Sequence, residues 1–399
     1  MNKDYDYIIA GAGCAGMSLL MRMASDSFFA AKKILIVDSD DKNLNDRTWC
    51  FWEKESDIFE PIVHHVWEEL DFFSTHFSTV LDIAPYQYKM IRSIDFYAYV
   101  KNTIASLPNI EWKKASVKRL LGATEKQVSQ TTSPNLTPAG IELNDGTAIY
   151  ASYVFSSILF DPIPATSNDY HFLQHFTGWE IETSSPVFNP ERAVFMDFRV
   201  SQEHGTTFMY VLPTSTTKAL VEYTLFTERL LPEEAYEKAI REYIGSELKI
   251  QDYTIVHREK GVIPMTTHNF PRYQDNHIYI GIAGGEAKAS SGYAFKFIQK
   301  RSSAIVDALK NHRSLAINKS FAEKKGHLYD AVLLHVLHYQ KMAGDQVFAD
   351  IFKGNKAADV LSFLDNESSL FTDLKIMSSV PTRIFLPAAL QEMTKLGKH

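Results

Sequence analysis

Short unbroken apolar runs near the N-terminus give way to long period-two runs in the middle of the chain, and helical spacing dominates beyond Arg301. Tyr5 to Ala10 reads as a buried strand, Met17 to Ala24 as a helix, and Lys33 to Val37 as a second strand. Asp95 to Ser106 carries Phe96, Tyr99, Val100 and Ile104 at helical spacing. Gly122 to Gly140, rich in Thr, Ser, Gln and Pro, reads as a surface loop. Asn144-Asp145-Gly146 is a hairpin signal leading into Ala148–Phe155. Ala193–Val200, Thr207–Leu212 and Ala219–Phe226 alternate or are continuously apolar, which predicts an antiparallel sheet. Pro232 to Leu248 reads as an amphipathic helix. Asn276 to Gly285 reads as a buried strand entering a small-residue turn, followed by a helix from Tyr293 to Leu309.

The first strand ends in Gly11, Gly13 and Gly16, a G-x-G-x-x-G turn opening a helix. Gly11 permits the tight turn, Gly13 lets backbone N–H groups approach a phosphate, and Gly16 lets helix and strand pack closely. Asp38 ends the second strand about 20 residues further on, where a ribose-binding carboxylate is expected. Strand, turn, helix, strand and acid in that order predict a dinucleotide site. The later strand and glycine turn, with Gly284 and Gly285, supply the second half of an FAD site in the same architecture.

Composition narrows the partners. In 399 residues, Lys+Arg 41 against Asp+Glu 48 gives 41 − 48 = −7, which argues against nucleic acid. The two cysteines, Cys14 in the glycine turn and Cys50 between Trp49 and Phe51, suggest no disulfide framework. The 14 histidines suggest no metal site, since adjacent His64 and His65 on a strand point to opposite faces. Neither an export signal nor a stretch of spanning length is evident, so a cytoplasmic location, soluble or on one membrane face, is expected.

Asp46-Arg47-Thr48-Trp49-Cys50-Phe51-Trp52-Glu53 resembles a signature of the lycopene cyclase family, the FAD-dependent enzymes that close the ends of lycopene into β-rings. Val221-Glu222-Tyr223-Thr224 resembles the family's strand carrying an essential glutamate, Gly261–Met265 its flavin-side loop, and Ser290-Ser291-Gly292-Tyr293 the turn after the second glycine loop. Leu374–Ser378 and Phe385-Leu386 resemble its closing helices. Two departures stand out: Glu286 follows Gly285 where related flavoproteins carry Gly-Asp, and Ser291 replaces a usual Thr.

The resemblance implies an α/β fold: a Rossmann-type FAD-binding domain of the glutathione-reductase and p-hydroxybenzoate-hydroxylase kind, an inserted antiparallel β-sheet substrate domain, and a helical C-terminus. The expected boundaries are 1–60, 86–160 and 255–305 for the FAD-binding domain, 61–85 and 161–254 for the β-sheet domain, and 306–399 for the helical region. It also implies a non-redox cyclisation. A protonated carboxylic acid donates to the terminal double bond, the cation closes the ring, and a ring proton leaves. Glu222 is the expected acid; on its strand it shares a face with Leu220, Thr224 and Phe226. Reduced FAD, with NADPH as external reductant, is expected near the cation, with Tyr293 and the cluster Trp49, Phe51 and Trp52 as aromatic candidates beside it; core packing is the equal alternative for that cluster. Gly11, Gly13, Gly16, Asp38, Arg47, Gly284, Gly285 and Gly292 are the expected cofactor contacts. Asp46 and Glu53 both remain open as pairing partners of Arg47, FAD contacts or final proton acceptor.

Lycopene must come from lipid, so peripheral, monotopic membrane association is expected, with Phe363, Leu364, Leu370, Phe371, Ile384, Phe385 and Leu386 as candidate anchors beside the alternative of a buried helical subdomain. Two rival readings are an FAD-dependent monooxygenase or halogenase of an apolar substrate, and a non-catalytic flavin-dependent carotenoid carrier. No Asp-Gly element follows the strand near residue 155, and no Walker-type or G-x-S-x-G loop is present.

Overall fold

A computed structural model of the chain describes residues 4–122, 138–164, 166 and 169–396. Most of the segment 122–140, expected as a surface loop, lies outside the described residues. In chain order the elements begin β1 (Tyr5–Ala10), α1 (Cys14–Ala24), β2 (Ile34–Asp38), β3 (Thr48–Glu53), β4 (His65–Trp67), β5 (Glu69–Phe73), β6 (Ser78–Asp82) and β7 (Gln87–Arg92). There follow α2 (Ser93–Ile104), β8 (Ile110–Lys114), β9 (Val117–Leu121), β10 (Ala139–Leu143), β11 (Ala148–Ser156), β12 (His171–Glu182), β13 (Arg192–Asp197), β14 (Thr206–Pro213) and β15 (Lys218–Thr227). The rest are α3 (Glu233–Ser246), β16 (Thr254–Thr266), β17 (Tyr273–Gln274), β18 (His277–Tyr279), α4 (Phe295–Lys310), α5 (Phe321–His338), α6 (Gly344–Gly354), α7 (Ala357–Leu364), α8 (Leu370–Ser378) and α9 (Thr382–Leu396).

The first sheet runs β17-β18-β11-β1-β2-β8, with β18, β11, β1, β2 and β8 parallel and the β9–β10 hairpin paired onto β11. Its inner strands are buried on both faces, which is why Ile8, Ile9, Leu35 and Ile36 read as unbroken apolar runs. Helix α1 starts at Cys14, earlier than periodicity suggests, because extended Gly13 ends the turn and caps the helix. Gly146 adopts φ +86 in the β10–β11 turn, as the Asn-Asp-Gly signal requires.

The second sheet is ordered β16-β12-β15-β14-β13-β5-β6 and is antiparallel except for β13 against β5. One face packs on α3 through Trp179, Val221, Tyr223 and Ile240; the other joins the C-terminal helices through Phe195, Phe208, Phe348 and Leu361. Trp67 and Trp52, both fully buried, satisfy their indole N–H groups on the carbonyls of Pro213 (3.0 Å) and Leu361 (3.2 Å). The small third sheet, β3-β7-β4, places the Asp46–Glu53 motif beside both larger sheets.

One element differs from expectation. The Gly261–Met265 stretch is not a loop but the second half of β16, whose full length pairs with β12 from His171↔Thr266 to Glu182↔Thr254. The segment Asn276–Gly285 is a strand entering a small-residue turn, as expected: β18 ends at Tyr279, and Gly281–Gly284 forms a short 3₁₀ turn with Gly281 at φ +63.

Candidate active site

The glycine turn is shaped for a ligand at its open side. Gly11 sits at φ +99, and a side chain there would strike Ser157; a Cβ on Gly16 would lie 1.9 Å from the Gly11 carbonyl oxygen. A Cβ on Gly13 would meet nothing within 4 Å and would project into free space at the start of α1. No acidic residue and no side-chain cap occupies that helix N-terminus, so its N–H groups remain available to an anion. The residues present therefore fit a dinucleotide pyrophosphate. Asp38 braces the turn, accepting from Ala12 N at 2.6 Å and Asp40 N at 2.8 Å, with one lone pair on each oxygen left.

From that turn a cleft of about 420 Å³ runs between the sheets, lined among others by Arg47, Thr48, Trp49, Cys50, Gly281, Ile282, Ser291, Gly292 and Tyr293. Gly292 adopts φ +69 against Gln174, leaving no room for a side chain. Gly284 and Gly285 fall elsewhere, lining a second cavity of about 370 Å³ together with Glu286, Arg272 and Arg301. Glu286 turns away from the cleft and accepts from Gly281 N at 2.8 Å; burial pushes its carboxyl up to about 8. On the cleft side, the second turn presents Gly281, Ile282 and Gly292 instead.

The expected aromatic cluster divides along β3. Trp49 lines the cleft, and Tyr293 joins it from the late turn. Phe51 instead stacks on Phe295 with ring centroids 4.3 Å apart, in the core beneath α1 and α4. Trp52 is buried against Phe195 and the edge of Tyr293. The cleft takes only the first part of the strand, Thr48 to Cys50, and beyond it period-two alternation sends Phe51 and Trp52 to opposite faces and different cores. Two rings that were not expected take part, Tyr88 of β7 and Tyr210 of β14, whose hydroxyls lie 3.1 and 3.2 Å from that of Tyr293. Burial raises all three phenols well above their ordinary value, so they face the cleft uncharged. Asp46 lines the cleft and accepts from Tyr97 at 3.0 Å, whereas Glu53 lies outside the lining, held by Lys89 (3.1 Å) and Lys296 (2.6 Å).

Glu222 is 8 % exposed and lines the cleft. It is not alone there. Strand β12 pairs Gly178 with Glu222 of β15 on one side and with Glu259 of β16 on the other. With no side chain on Gly178, the two glutamates lean together over it: a Cβ there would sit 3.2 Å from Glu259 Cγ and 3.5 Å from Glu222 Cβ. Their side chains lie next to one another across Gly178, and burial raises both carboxyls above the ordinary value, Glu222 the further. Like charges in a dry site cannot both ionise. Thr48 donates to Glu259 at 2.6 Å, and His257 and Arg47 favour its ionised form, whereas Glu222 receives only Thr224, at 2.7 Å. The shared proton therefore rests on Glu222. Sequence patterning missed Glu259, because only the register of β12 brings it to Glu222.

The architecture of a dinucleotide-type sheet, an inserted antiparallel sheet and a cleft between them is the fold of flavin-dependent oxygenases, halogenases and reductases. A geranylgeranyl bacteriochlorophyll reductase-like protein of Thermoplasma acidophilum superposes with TM-score 0.61 over 98 % of this chain and 99 % of its own, at 10 % identity. The flavin-dependent brominase Bmp2 gives 0.54 over 99 % and 98 %, also at 10 % identity. Within that class, the chain belongs to the lycopene cyclase family: the family described as Lycopene cyclase protein matches residues 6–390. It is 31 % identical over 132 residues to a lycopene beta-cyclase of Paracoccus sp. (strain N81106 / MBIC 01143), covering 31 % of this chain. To a lycopene beta-cyclase of Pantoea ananas it is 24 % identical over 272 residues, covering 67 % of this chain. These alignments span 33 % and 64 % of the two relatives' lengths.

Proposed function

We propose that this chain is a lycopene β-cyclase, an isomerase that converts the ψ-ends of lycopene to β-rings, giving γ-carotene and then β-carotene. One observation carries the reading beyond family membership: a carboxyl group, Glu222, buried in an aromatic-walled cleft where burial favours its protonated form. Glu222 delivers that proton to the terminal double bond, and the neighbouring alkene closes on the cation. The faces of Trp49, Phe176, Tyr88, Tyr210 and Tyr293 line the path and stabilise positive charge without capturing it. Bound flavin, held by Gly11, Gly13, Gly16 and Asp38 at one end and by Arg47 and Gly292 at the other, supplies negative charge beside the cation when reduced, with NADPH as external reductant. Burial keeps Cys50 in the thiol form, so no thiolate competes as a nucleophile.

The substrate enters from a membrane surface. Leu370, Phe371 and Leu374 on α8 and Leu386, Leu390 and Met393 on α9 are exposed, each set at helical spacing along one face. Among the described residues no helix is long and apolar enough to cross a membrane, which suits attachment to one leaflet. Of the expected anchors, Leu364 is buried and Phe363 stacks on Tyr329, so neither serves.

Expression in cells that accumulate lycopene tests the reading, with chromatographic identification of the pigment. The parent is expected to yield cyclic carotenes, and Glu222→Gln to retain flavin but leave lycopene open. Substrate-coupled oxygen uptake with NADPH and a hydroxylated product would replace the proposal by a monooxygenase. Identical pigment with parent, Glu222→Gln and no protein would leave a carrier.

A further inference from the structure

We infer that Glu259 takes the proton leaving the new ring and hands it back to Glu222 across Gly178, so that the glutamate pair is a closed proton circuit. This rests on the cyclase reading above and names the base that reading leaves open. Three observations carry it. Glu259 lines the same cleft as Glu222, so both carboxyls reach one ligand. The two stand side by side over a glycine that offers no side chain to separate them. Thr48, inside the Asp46–Glu53 motif, anchors Glu259 through Oε2 at 2.6 Å, so the other oxygen is not engaged by it.

The steps balance. The Glu222 O–H bond breaks as its proton joins the CH carbon of the terminal alkene, whose π pair forms that C–H bond and leaves the tertiary cation on the dimethyl carbon. The second alkene's π pair then forms the ring C–C bond and moves the cation into the ring. A ring C–H bond next to the cation breaks, its electron pair becoming the ring double bond, and the proton goes to Glu259. Passing from Glu259 to Glu222 across Gly178, it restores the starting state. No electron is gained or lost, and no water need enter.

A single acid acting alone predicts something different from a pair. Around the pair stand Arg47 just before β3, Cys50 of β3, Tyr88 of β7, Tyr210 of β14, His257 of β16 and Tyr293, of which only Arg47 and His257 bear or gain positive charge. With one proton required between two carboxyls, the rate falls when both are protonated and again when both are ionised, a bell belonging to the pair.

The test compares parent, Glu259→Gln, Glu259→Asp and Gly178→Ala, flavin-loaded and reduced, on lycopene in liposomes, with ring formation followed against pH. Glu259→Gln is expected to lose roughly 10²-fold or more in rate, to lose the acid limb of the profile, and to divert product toward water-captured, uncyclised or monocyclic alcohols. Glu259→Asp should recover part of the rate and the acid limb. Gly178→Ala, whose Cβ would stand 3.2 Å from Glu259 Cγ and so displace that side chain slightly, should flatten the profile while flavin content is kept. A Glu259→Gln chain that cyclises at the parental rate with the parental profile overturns the circuit and leaves the cyclase intact. A parent that forms no ring overturns the cyclase itself.

Discussion

Glu222→Gln is expected to stabilise the folded chain near neutral pH, by an amount that grows as pH rises. Burial, and then Glu259, hold the Glu222 carboxyl well above its ordinary value in the fold, while in the unfolded chain it returns to about 4.3. Between those two values the native chain carries a proton that the unfolded chain has released. The contribution is therefore fully present below the unfolded value and is lost as pH climbs through the folded one. For one group the slope is about 1.4 kcal/mol per pH unit. As pH climbs from the unfolded value toward the raised folded one, the parent forfeits stability at that slope, which the uncharged amide keeps. Glu286 and Asp365, also raised by burial, are common to both chains and cancel in the comparison. Denaturant unfolding of the flavin-loaded chains, followed by tryptophan fluorescence at intervals from pH 5 to 8, reads the difference directly. A gap between parent and variant that stays constant across that range would show that Glu222 is ionised in the fold, and the proposed proton donor would be lost.

Gly16→Val should abolish flavin retention, because even its Cβ would stand 1.9 Å from the Gly11 carbonyl oxygen and force α1 off the turn; flavin absorbance after desalting measures it, and retained flavin would contradict the close approach. Replacing Phe371 and Leu374 together by Asp should lower co-sedimentation with anionic liposomes several-fold while leaving flavin content unchanged, since both side chains are exposed; undiminished binding would move the membrane contact away from α8.

The dinucleotide half of the fold was legible from local signals, since β1, α1, β2 and Asp38 each follow from periodicity and glycine placement within a short stretch. The β14 and β15 strands were legible for the same reason. What stayed hidden depends on pairing between distant segments. In β12, Gly178 interrupts a run that mixes His, Gln, Thr and aromatic residues, so the strand that organises the site carried no clear pattern of its own. Glu259, among charged neighbours in His257-Arg258-Glu259-Lys260, looks like a solvated position until β12 covers it. Whether Phe51 and Trp52 wall the cleft or pack in the core stayed open because a motif is read in one dimension, whereas a strand sends successive side chains to opposite faces. Gly284 and Gly285 carried the right chemistry for a cofactor turn, but the chain reverses at Gly285 (φ +75) and opens them to the other cavity.

Strand β12 also shows why two acids stand where they do. A glycine in the middle of a sheet weakens it by roughly 0.5–1 kcal/mol, and carboxyls taken out of water cost more still unless they share a proton. Both costs fall at one point of register, Glu222–Gly178–Glu259, in a sheet whose other central positions are well packed. Local rules are broken together in this way where a site needs them broken. A sheet that only walled a flavin cleft could carry an apolar side chain at 178 and solvated acids at its edge. Substituting the glycine therefore separates the two purposes: a merely structural sheet gains stability from Gly178→Ala, whereas a proton-sharing pair loses its contact.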